Sequence, residues 1–236
     1  MTRYFFGHHK CATNWMRRYA KDLSERFGWR LEMLNGGPPV CENPDGQEIF
    51  RFYWNTWWNE AASIEEGDRA VHLIRDPRDA LVSGYWSWKT SHQQNNRRIL
   101  EVREQLNQCS LEEGLLIMID HVTSLEQLEG WEFDHHPNIL TIRYEDLLEN
   151  TSAVVTRFLE HWQIALEPTE INALIERHSF QAITGRQRGE EKTNHHFRKG
   201  SAGDWKSYFT EAVTPRFKEK HGAMLIKLGY ESSDDW

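Results

Sequence analysis

The sequence predicts an α/β fold in which a parallel β-sheet is flanked by helices on both faces. Short apolar runs alternate with amphipathic runs; the first apolar run leads through a loop containing Lys10 into a helical pattern, and a later run ends at Arg75. Alternating strands and helices are typical of parallel sheets, whose crossovers carry helices. The length of 236 residues, 39% of them hydrophobic, favours one domain over residues 1–236.

The predicted strands are short runs rich in aromatic and β-branched residues between turn signals. They lie at residues 4–6, 48–53, 70–74 and 138–143. Residues 36–46, rich in Gly and Pro, and the polar stretch 179–206 are predicted to be loops. A loop as long as the second is usually functional or disordered, and the cations within it favour function.

The predicted helices are recognised by apolar residues at helical spacing and by the residues at their ends. Gly28 should close the first helix, Asp76 should cap a second, and a capping box at Ser110 should begin a third that reaches about Leu128. Further helices are predicted at residues 152–162, 169–177 and 214–228, the last with Thr214 as its cap, Pro215 at its first position and Gly229 beyond its end.

Composition narrows the classes of function. A net charge of -8 opposes sequence-independent binding to nucleic acid or to an anionic membrane surface. The cysteines at 11, 41 and 109 are too few and too scattered for a disulfide framework or a metal-ligand spacing. No apolar run approaches the roughly 18 residues of a membrane span. The sequence therefore predicts a soluble cytoplasmic protein without a metal, and it leaves the oligomeric state open.

Three segments carry the chemistry that recognises anions. The segment around Lys10 joins an apolar run to a helical one, an arrangement that directs free backbone N–H groups and the helix dipole at an anion. Arg75, with Ser83 eight positions later, forms the second segment, and residues 197–206 form the third. Arg side chains and backbone N–H groups bind phosphate through charge-assisted hydrogen bonds. Two clusters of such donors predict a doubly phosphorylated nucleotide on a P-loop-like sheet.

Each segment also has a plainer explanation when it is taken alone. Lys10 by itself could be a solvated charge, and Arg75 could belong to a helix start with surface ion pairs. Trp15 and Phe180 could be core aromatics. Cys11 is interpreted as a small residue that lets the backbone approach phosphate, with no chemistry of its own. The combination of the three segments favours the nucleotide site.

Together the three segments resemble the cytosolic-type sulfotransferase family, whose members transfer a sulfuryl group from 3′-phosphoadenosine 5′-phosphosulfate (PAPS) to an acceptor hydroxyl or amine. Members carry a Lys-Ser-Gly-Thr-Thr-Trp-like loop, an Arg followed by a Ser, and an Arg-Lys-Gly-x-x-Gly-Asp-Trp-Lys stretch. Here these read Lys10-Cys-Ala-Thr-Asn-Trp15, Arg75 with Ser83, and Arg198-Lys-Gly-Ser-Ala-Gly-Asp-Trp-Lys206. The resemblance covers residues 4–210 and implies an enzyme with PAPS as its co-substrate and no metal.

The resemblance also implies a role for each matching residue. The 5′-phosphosulfate would be held by Lys10, Cys11, Ala12, Thr13 and Asn14, with Lys10 also neutralising charge on the leaving oxygen. The 3′-phosphate would be held by Arg75, Ser83, Arg198, Lys199 and Gly200. Trp15 and Phe180 would sandwich the adenine, with Tyr144 close to the adenosine.

The sequence departs from the family pattern at the position expected for the general base. Family members carry a His on the strand before the Arg/Ser segment, and residues 49–56 contain none. His9 is the favoured replacement: it stands where family members usually have a proline that lines the acceptor pocket, so the resemblance implies an imidazole beside the acceptor. His8 would point to the opposite side of an extended backbone, and Glu48 or Glu60 could serve instead.

Two other functions stay open, and the acceptor is not identified. A non-catalytic protein that binds PAPS or its product 3′-phosphoadenosine 5′-phosphate (PAP) would need no base. A P-loop kinase-like enzyme is less favoured, because Cys11 stands where a magnesium-holding Ser or Thr is needed. The acceptor is expected to be a small, partly apolar molecule bound by aromatic side chains. The candidates for these side chains are Trp54, Trp57, Trp58, Trp86 and Trp88.

Overall fold

The structure is a computed structural model that describes residues 1–37, 46–62, 64–92, 97–132 and 136–236. Within these ranges, one five-stranded sheet has the order β2-β3-β1-β4-β5, and every neighbouring pair is parallel. The predicted α/β class with a parallel sheet is confirmed. The strands are β1 Thr2–Phe6, β2 Arg30–Leu34, β3 Ile49–Tyr53, β4 Arg69–Ile74 and β5 Ile139–Arg143.

Helices cover both faces of the sheet, as predicted. On one face Phe5 packs with side chains of α1, α8 and α9. On the other face Phe6 packs with Ala61 of α2, and Ile74 packs with α3, α5, α6 and α11. The helices are α1 Thr13–Phe27, α2 Trp58–Ala61, α3 Pro77–Trp86, α4 Arg97–Gln108, α5 Leu111–Ile119, α6 Thr123–Glu129, α7 Tyr144–Glu149, α8 Thr151–His161, α9 Pro168–Arg177, α10 Phe180–Thr184 and α11 Val213–Lys227.

Several helix ends follow their sequence signals. Gly28 ends α1 in the left-handed conformation at φ 67, and its N–H donates to the Ser24 carbonyl. The Asp76 side chain accepts a hydrogen bond from the N–H of Arg78 and so caps α3. Ser110 and Glu113 form the predicted capping box of α5. Each of these signals satisfies backbone groups that a helix end leaves open.

Other sequence predictions were wrong or incomplete. The helix expected from Ser110 to Leu128 is two helices, because the chain turns at residues 120–122 between α5 and α6. Thr214 is not the cap of α11 and Pro215 is not its first residue, because the helix begins at Val213. The edge strand β2 and the helices α2, α4, α7 and α10 were not predicted. Residues 38–45, with Cys41 and most of one predicted loop, lie outside the described residues.

The sheet positions the ends of its strands for a site. Because all strands are parallel, the segments that follow β1, β3, β4 and β5 leave from the same edge. Ligands of open parallel sheets bind in the crevice at that edge. In the described part of the chain, no helix combines the length and the apolar character needed to cross a bilayer.

Candidate active site

A cavity of about 970 Å³ lies at the carboxyl edge of the sheet. Lys10 after β1, Arg75 after β4 and Arg198 in the loop after α10 all line it. The three anion-binding segments therefore meet around one cavity. The other predicted site residues that line it are His9, Ala12, Thr13, Asn14, Trp15, Ser83, Tyr144, Phe180, Lys199 and Gly200.

The segment after β1 forms a tight turn with free backbone donors. Lys10 and Ala12 have left-handed backbones, with φ 71 and 53. The N–H groups of Ala12, Thr13 and Asn14 have no hydrogen-bond partner among the described residues. These donors stand at the N-terminus of α1, where unpaired N–H groups and the helix dipole favour an anion.

Gly7 permits this turn, although the sequence analysis assigned it no role. A Cβ built at Gly7 would lie 2.2 Å from Cγ2 of Thr13 and 3.1 Å from the Tyr53 carbonyl oxygen. Any larger residue would thus displace the turn. The position of a glycine between a buried strand and the Lys10 loop was the signal available in the sequence.

Cys11 does not line the cavity, in contrast to its predicted place among the cofactor-binding residues. Its side chain is fully buried in the core beneath α1, and its N–H donates to the His8 carbonyl over 3.1 Å. Burial raises the pKa of the thiol to about 12. The left-handed residues on either side turn the loop so that position 11 points inward.

Arg75 joins the first segment to the third. Its guanidinium donates to the Lys10 carbonyl over 3.4 Å and to the Ser201 carbonyl over 3.1 Å. Its Nε is buried without a hydrogen-bond partner in the described ranges. The guanidinium carbon also lies 4.8 Å from the centre of the Tyr144 ring. The carboxylate of Asp79 lies 3.7 Å from the same guanidinium. Arg75 is therefore held by two carbonyls and one buried carboxylate in a position where an unpaired N–H remains for an anion.

The third segment is anchored on α3 and on its own carboxylates. Asp79 of α3 accepts hydrogen bonds from the N–H groups of Gly203 and Trp205, over 2.7 and 2.9 Å. Arg198 pairs with Asp204 and with the more exposed Glu191. Lys199 also pairs with Asp204. These carboxylates hold Arg198 and Lys199 in place at the cavity wall. A bound anion would share the two cations with the carboxylates.

Aromatic side chains form the wall between the cationic segments. Trp15 is fixed by a 2.6 Å hydrogen bond from its indole N–H to the His178 carbonyl. Gly200, at φ 67, lies against the Phe180 ring, where a Cβ would come within 2.6 Å of a ring carbon. The glycine therefore lets the third segment pass directly over Phe180. Flat apolar surfaces of this kind suit a purine base.

Three imidazoles lie close to Lys10. His9 lines the cavity with His92 and His196, and the His9 and His92 rings meet edge to face with centroids 5.2 Å apart. Burial and the nearby Lys10 hold the pKa of His9 well below its usual value and lower that of His92 to about 4. Neutral imidazoles can accept a proton at neutral pH.

His92 and His196 were not predicted as site residues. His92 follows a π-helical turn, Ser87–Ser91, that extends α3, and Arg103 donates to its carbonyl over 2.7 Å. Such turns often occur at functional sites, but they have no clear sequence signature. His196 lies in the long polar loop, which was predicted to be functional, but no role was assigned to this residue.

The alternatives to His9 lie outside the cavity lining. His8 is fully buried on the other side of the loop and bonds to His72. Glu48 precedes β3, at the opposite edge of the sheet, and pairs with Arg3. Glu60 accepts hydrogen bonds from the N–H groups of Gly37 and Trp57 at the start of α2. Geometry therefore leaves His9 as the cavity-lining member of the predicted set.

Two of the five tryptophans considered for acceptor contact line the cavity, Trp54 and Trp88. Trp57 is 42% exposed at the start of α2, and the Trp58 ring packs edge to face on Trp131. Trp86 donates to the Tyr208 hydroxyl. The expectation that all five would surround an acceptor was wrong, because helical periodicity sends neighbours to different faces.

A metal site is not apparent in the described residues: none of the His, Cys, Asp and Glu side chains there form a group of three that could hold an ion.

Comparison with known proteins identifies the family. A family model described as Sulfotransferase domain matches residues 61–228, which is more than half of the chain. The chain belongs to the sulfotransferase family. This confirms the resemblance found in the three segments.

Curated sulfotransferases are similar to this chain over much of its length. Sulfotransferase 2A6 of Mus musculus is 28% identical over 203 residues, which cover 82% of this chain and 68% of that protein. The 3-alpha-hydroxysteroid sulfotransferase of Cavia porcellus is 29% identical over 174 residues, which cover 68% of this chain and 58% of that protein. The matched regions thus span between 58% and 68% of the length of these relatives.

Solved sulfotransferase structures share the fold. Mouse sulfotransferase SULT7A1 complexed with PAP matches 95% of this chain and 84% of its own, with a TM-score of 0.59 and 16% identity. Retinol dehydratase in complex with androsterone and inactive cofactor PAP matches 95% of this chain and 80% of its own, with a TM-score of 0.59 and 18% identity. At these identities the likeness establishes the architecture of the sulfotransferase fold for this chain.

Proposed function

We propose that this protein transfers a sulfuryl group from PAPS to the hydroxyl or amine of a small acceptor. The observation that carries the proposal is the position of Arg75, which hydrogen-bonds both the Lys10 carbonyl and the Ser201 carbonyl. One guanidinium thereby links two anion-binding segments at a single cavity. That arrangement suits a ligand with anionic groups at both ends, in a chain that belongs to the sulfotransferase family.

The residues at the cavity fit PAPS. The free N–H groups of residues 12–14 and the ammonium of Lys10 would hold the 5′-phosphosulfate. The unpaired Nε of Arg75, the Ser83 hydroxyl and the Arg198-Lys199-Gly200 run would hold the 3′-phosphate. Trp15 and Phe180 would bind the adenine. When bound, PAPS supplies the activated sulfuryl group.

The protein's own side chains would then stabilise the charge on the leaving group and accept the proton of the acceptor. Lys10 would stabilise the negative charge that grows on the departing phosphate oxygen, an electrostatic effect that is strong where water is excluded. His9 is neutral in the free protein and would accept the proton of the attacking hydroxyl. Holding both reactants in line lowers the entropic part of the barrier.

Two other functions remain as alternatives. A protein that only binds PAPS or PAP would share the nucleotide contacts but would not need His9. A kinase-like role is disfavoured, because the side chain after Lys10 is the buried Cys11 and not a hydroxyl that faces the cavity.

Binding and transfer assays separate these functions. PAP should bind much more tightly than ATP with magnesium, measured by calorimetry, because ATP lacks a 3′-phosphate; the opposite order would refute a PAPS site. Labelled-sulfate transfer from PAPS to a panel of phenols, alcohols, amines and sugars then tests catalysis. PAP binding without any transfer would leave the binding protein as the function.

Binding of PAP should weaken as the pH rises above about 7. Burial, with Arg75 and Arg198 nearby, lowers the pKa of Lys10 to about 7 in the free protein. A bound phosphate favours the ammonium and raises this pKa, so binding above pH 7 takes up a proton. Affinity should fall by up to roughly tenfold per pH unit until the pKa of the bound state is reached.

Calorimetry at pH 8 in buffers of different ionisation enthalpy measures this proton uptake. The wild type should take up close to one proton, whereas Lys10→Arg, which stays charged, should take up almost none. The phosphate itself contributes little there, because its second pKa is about 6. Equal proton uptake by the two proteins would contradict the assignment to Lys10.

Replacing Glu191 with glutamine should tighten PAP binding by roughly twofold to fivefold, because a competing partner of Arg198 is removed. The gain is small since the Glu191 side chain is 34% exposed. The control is Glu190→Gln, which makes the same change of charge at the preceding residue. The Glu190 carboxylate accepts a hydrogen bond from the Gln187 N–H and does not pair with Arg198. Titration of PAP into both variants distinguishes the release of Arg198 from a general effect of net charge. Equal affinities of the two variants would contradict the competition between Glu191 and the nucleotide.

The acceptor is proposed to be an apolar or ring-bearing alcohol. Trp54, Trp88 and Ile99 supply apolar surface at the cavity, and the guinea-pig relative is named for a hydroxysteroid. A cytoplasmic location, the absence of nucleic-acid and membrane partners and the absence of a metal remain predictions from the sequence.

A further inference from the structure

A buried chain of polar side chains runs behind the cavity. The Nε2 atoms of His8 and His72 are 2.7 Å apart. Nδ1 of His72 lies 3.2 Å from the Thr141 hydroxyl, and Nδ1 of His8 lies 3.3 Å from Oε1 of Gln127. The His72 ring is stacked on Trp131 with centroids 3.8 Å apart. The nucleotide site described above uses none of these groups.

With the Gln127 amide placed as in the structure, Oε1 towards His8, the direction of every hydrogen bond in the chain follows. Burial lowers the pKa of both His8 and His72, so each neutral ring carries one proton. Oε1 of Gln127 can only accept, so the proton of His8 is on Nδ1. His72 must then donate from Nε2 to His8, and its bare Nδ1 accepts from the Thr141 hydroxyl.

The Gln127 amide therefore presents its NH₂ group away from His8. With Oε1 engaged by His8, the NH₂ group is on the other end of the amide. Gln127 is only 2% exposed, yet it lines the cavity, and Nε2 has no hydrogen-bond partner in the described part of the chain. An N–H that faces a cavity without a protein partner is available to a bound ligand.

We propose that Gln127 is a specificity residue for the acceptor, whose amide N–H selects molecules that carry a second, hydrogen-bond-accepting oxygen such as a carbonyl. The inference rests on the proposed sulfuryl transfer and adds a substrate class to it. An acceptor without that oxygen would leave the Gln127 donor buried and unpaired. Sites built around such a donor reject analogues that lack the matching group.

The test compares shape-matched acceptors in labelled-sulfate transfer by the full chain with PAPS. One pair is para-hydroxyacetophenone and para-isopropylphenol, and another is hydroxycyclohexanone and methylcyclohexanol. The wild type should favour the carbonyl member of each pair by roughly tenfold in kcat/KM. Gln127→Met keeps the length of the side chain but has no donor, and it should lose this preference, chiefly through KM. Gln105→Met, on the exposed side of α4, is the control and should keep it.

The outcomes separate this inference from the proposed function. No transfer to any compound would overturn both. Transfer without preference by the wild type, or an unchanged preference in Gln127→Met, would overturn the inference and leave the sulfotransferase standing. Unchanged binding of PAP by Gln127→Met would exclude a general loss of structure.

A second variant tests whether the hydrogen-bond chain behind Gln127 holds the amide in this orientation. Thr141→Val keeps the shape of the side chain but removes the hydroxyl that donates to His72. The amide should then populate both orientations, so the carbonyl preference should weaken while PAP binding is retained. Nitrogen-15 spectra of the imidazoles should show His8 protonated at Nδ1 in the wild type. An unchanged preference, or a proton on Nε2 of His8, would overturn the orienting chain, and this test stands if Gln127→Met fails to fold.

Discussion

Replacing Arg75 with methionine is expected to weaken PAP binding by about a hundredfold, since a charge-assisted hydrogen bond and the attraction of a buried guanidinium for the phosphate would be lost. The same change should affect 5′-AMP much less, because the 3′-phosphate is the group assigned to Arg75. The loss also frees the Ser201 carbonyl and so loosens the third segment from the first. Calorimetric titration of PAP and 5′-AMP measures both effects.

Arg177→Met is the matched control. Its guanidinium is 62% exposed and pairs with Asp22 on the surface between α1 and α9. This variant has the same change in charge and should bind PAP as the wild type does. If Arg75→Met kept the wild-type ratio of PAP to 5′-AMP affinities, the assignment of the 3′-phosphate to Arg75 would be wrong.

Replacing His9 with asparagine is expected to lower kcat by at least about a hundredfold, the usual contribution of a general base. PAP affinity should change little, because His9 is assigned to the acceptor side of Lys10. The comparison requires single-turnover transfer rates and PAP titrations of the same preparations. His161→Asn, which removes a hydrogen bond to the Asn138 carbonyl far from the cavity, is the control.

His92→Asn and His196→Asn decide what a failure of this prediction means. If His9→Asn turns over at the wild-type rate while one of these variants is inactive, the proton passes to that other imidazole. If all three variants retain full activity, no imidazole near Lys10 is the base. A proportional loss of PAP binding in His9→Asn would instead assign His9 to the nucleotide.

Four of the five strands of the described sheet were predicted from the sequence, including β5 at one edge. β1, β3, β4 and β5 are short apolar runs, and each was placed within two residues of its observed limits. β2 was missed because four of its five residues, at positions 30–33, are not buried, and its charged Glu32 pairs with Arg51. α4 was missed because it buries only a narrow stripe, Ile99, Val102 and Leu106.

The cationic part of the site was predictable, and its acceptor end was less so. Lys10, Arg75 and Arg198 occur in motifs whose spacing is visible in the chain. A π-helical turn brings His92 to the cavity, and buried hydrogen-bonded side chains hold Gln127 there. Both arrangements depend on tertiary packing. The inward direction of the Cys11 side chain was not predicted, because the left-handed turn that causes it is made by Lys10 and Ala12, which are not glycines.

A crystal structure of the protein with PAP is the most direct test of the central claim, that one nucleotide is held at both anionic ends by the three segments. The 5′-phosphate should lie on the N–H groups of residues 12–14 beside Lys10. The 3′-phosphate should contact Arg75, Ser83 and the Arg198-Lys199-Gly200 run, with the adenine between Trp15 and Phe180. A nucleotide bound elsewhere, or one with its 3′-phosphate in solvent, would contradict the claim.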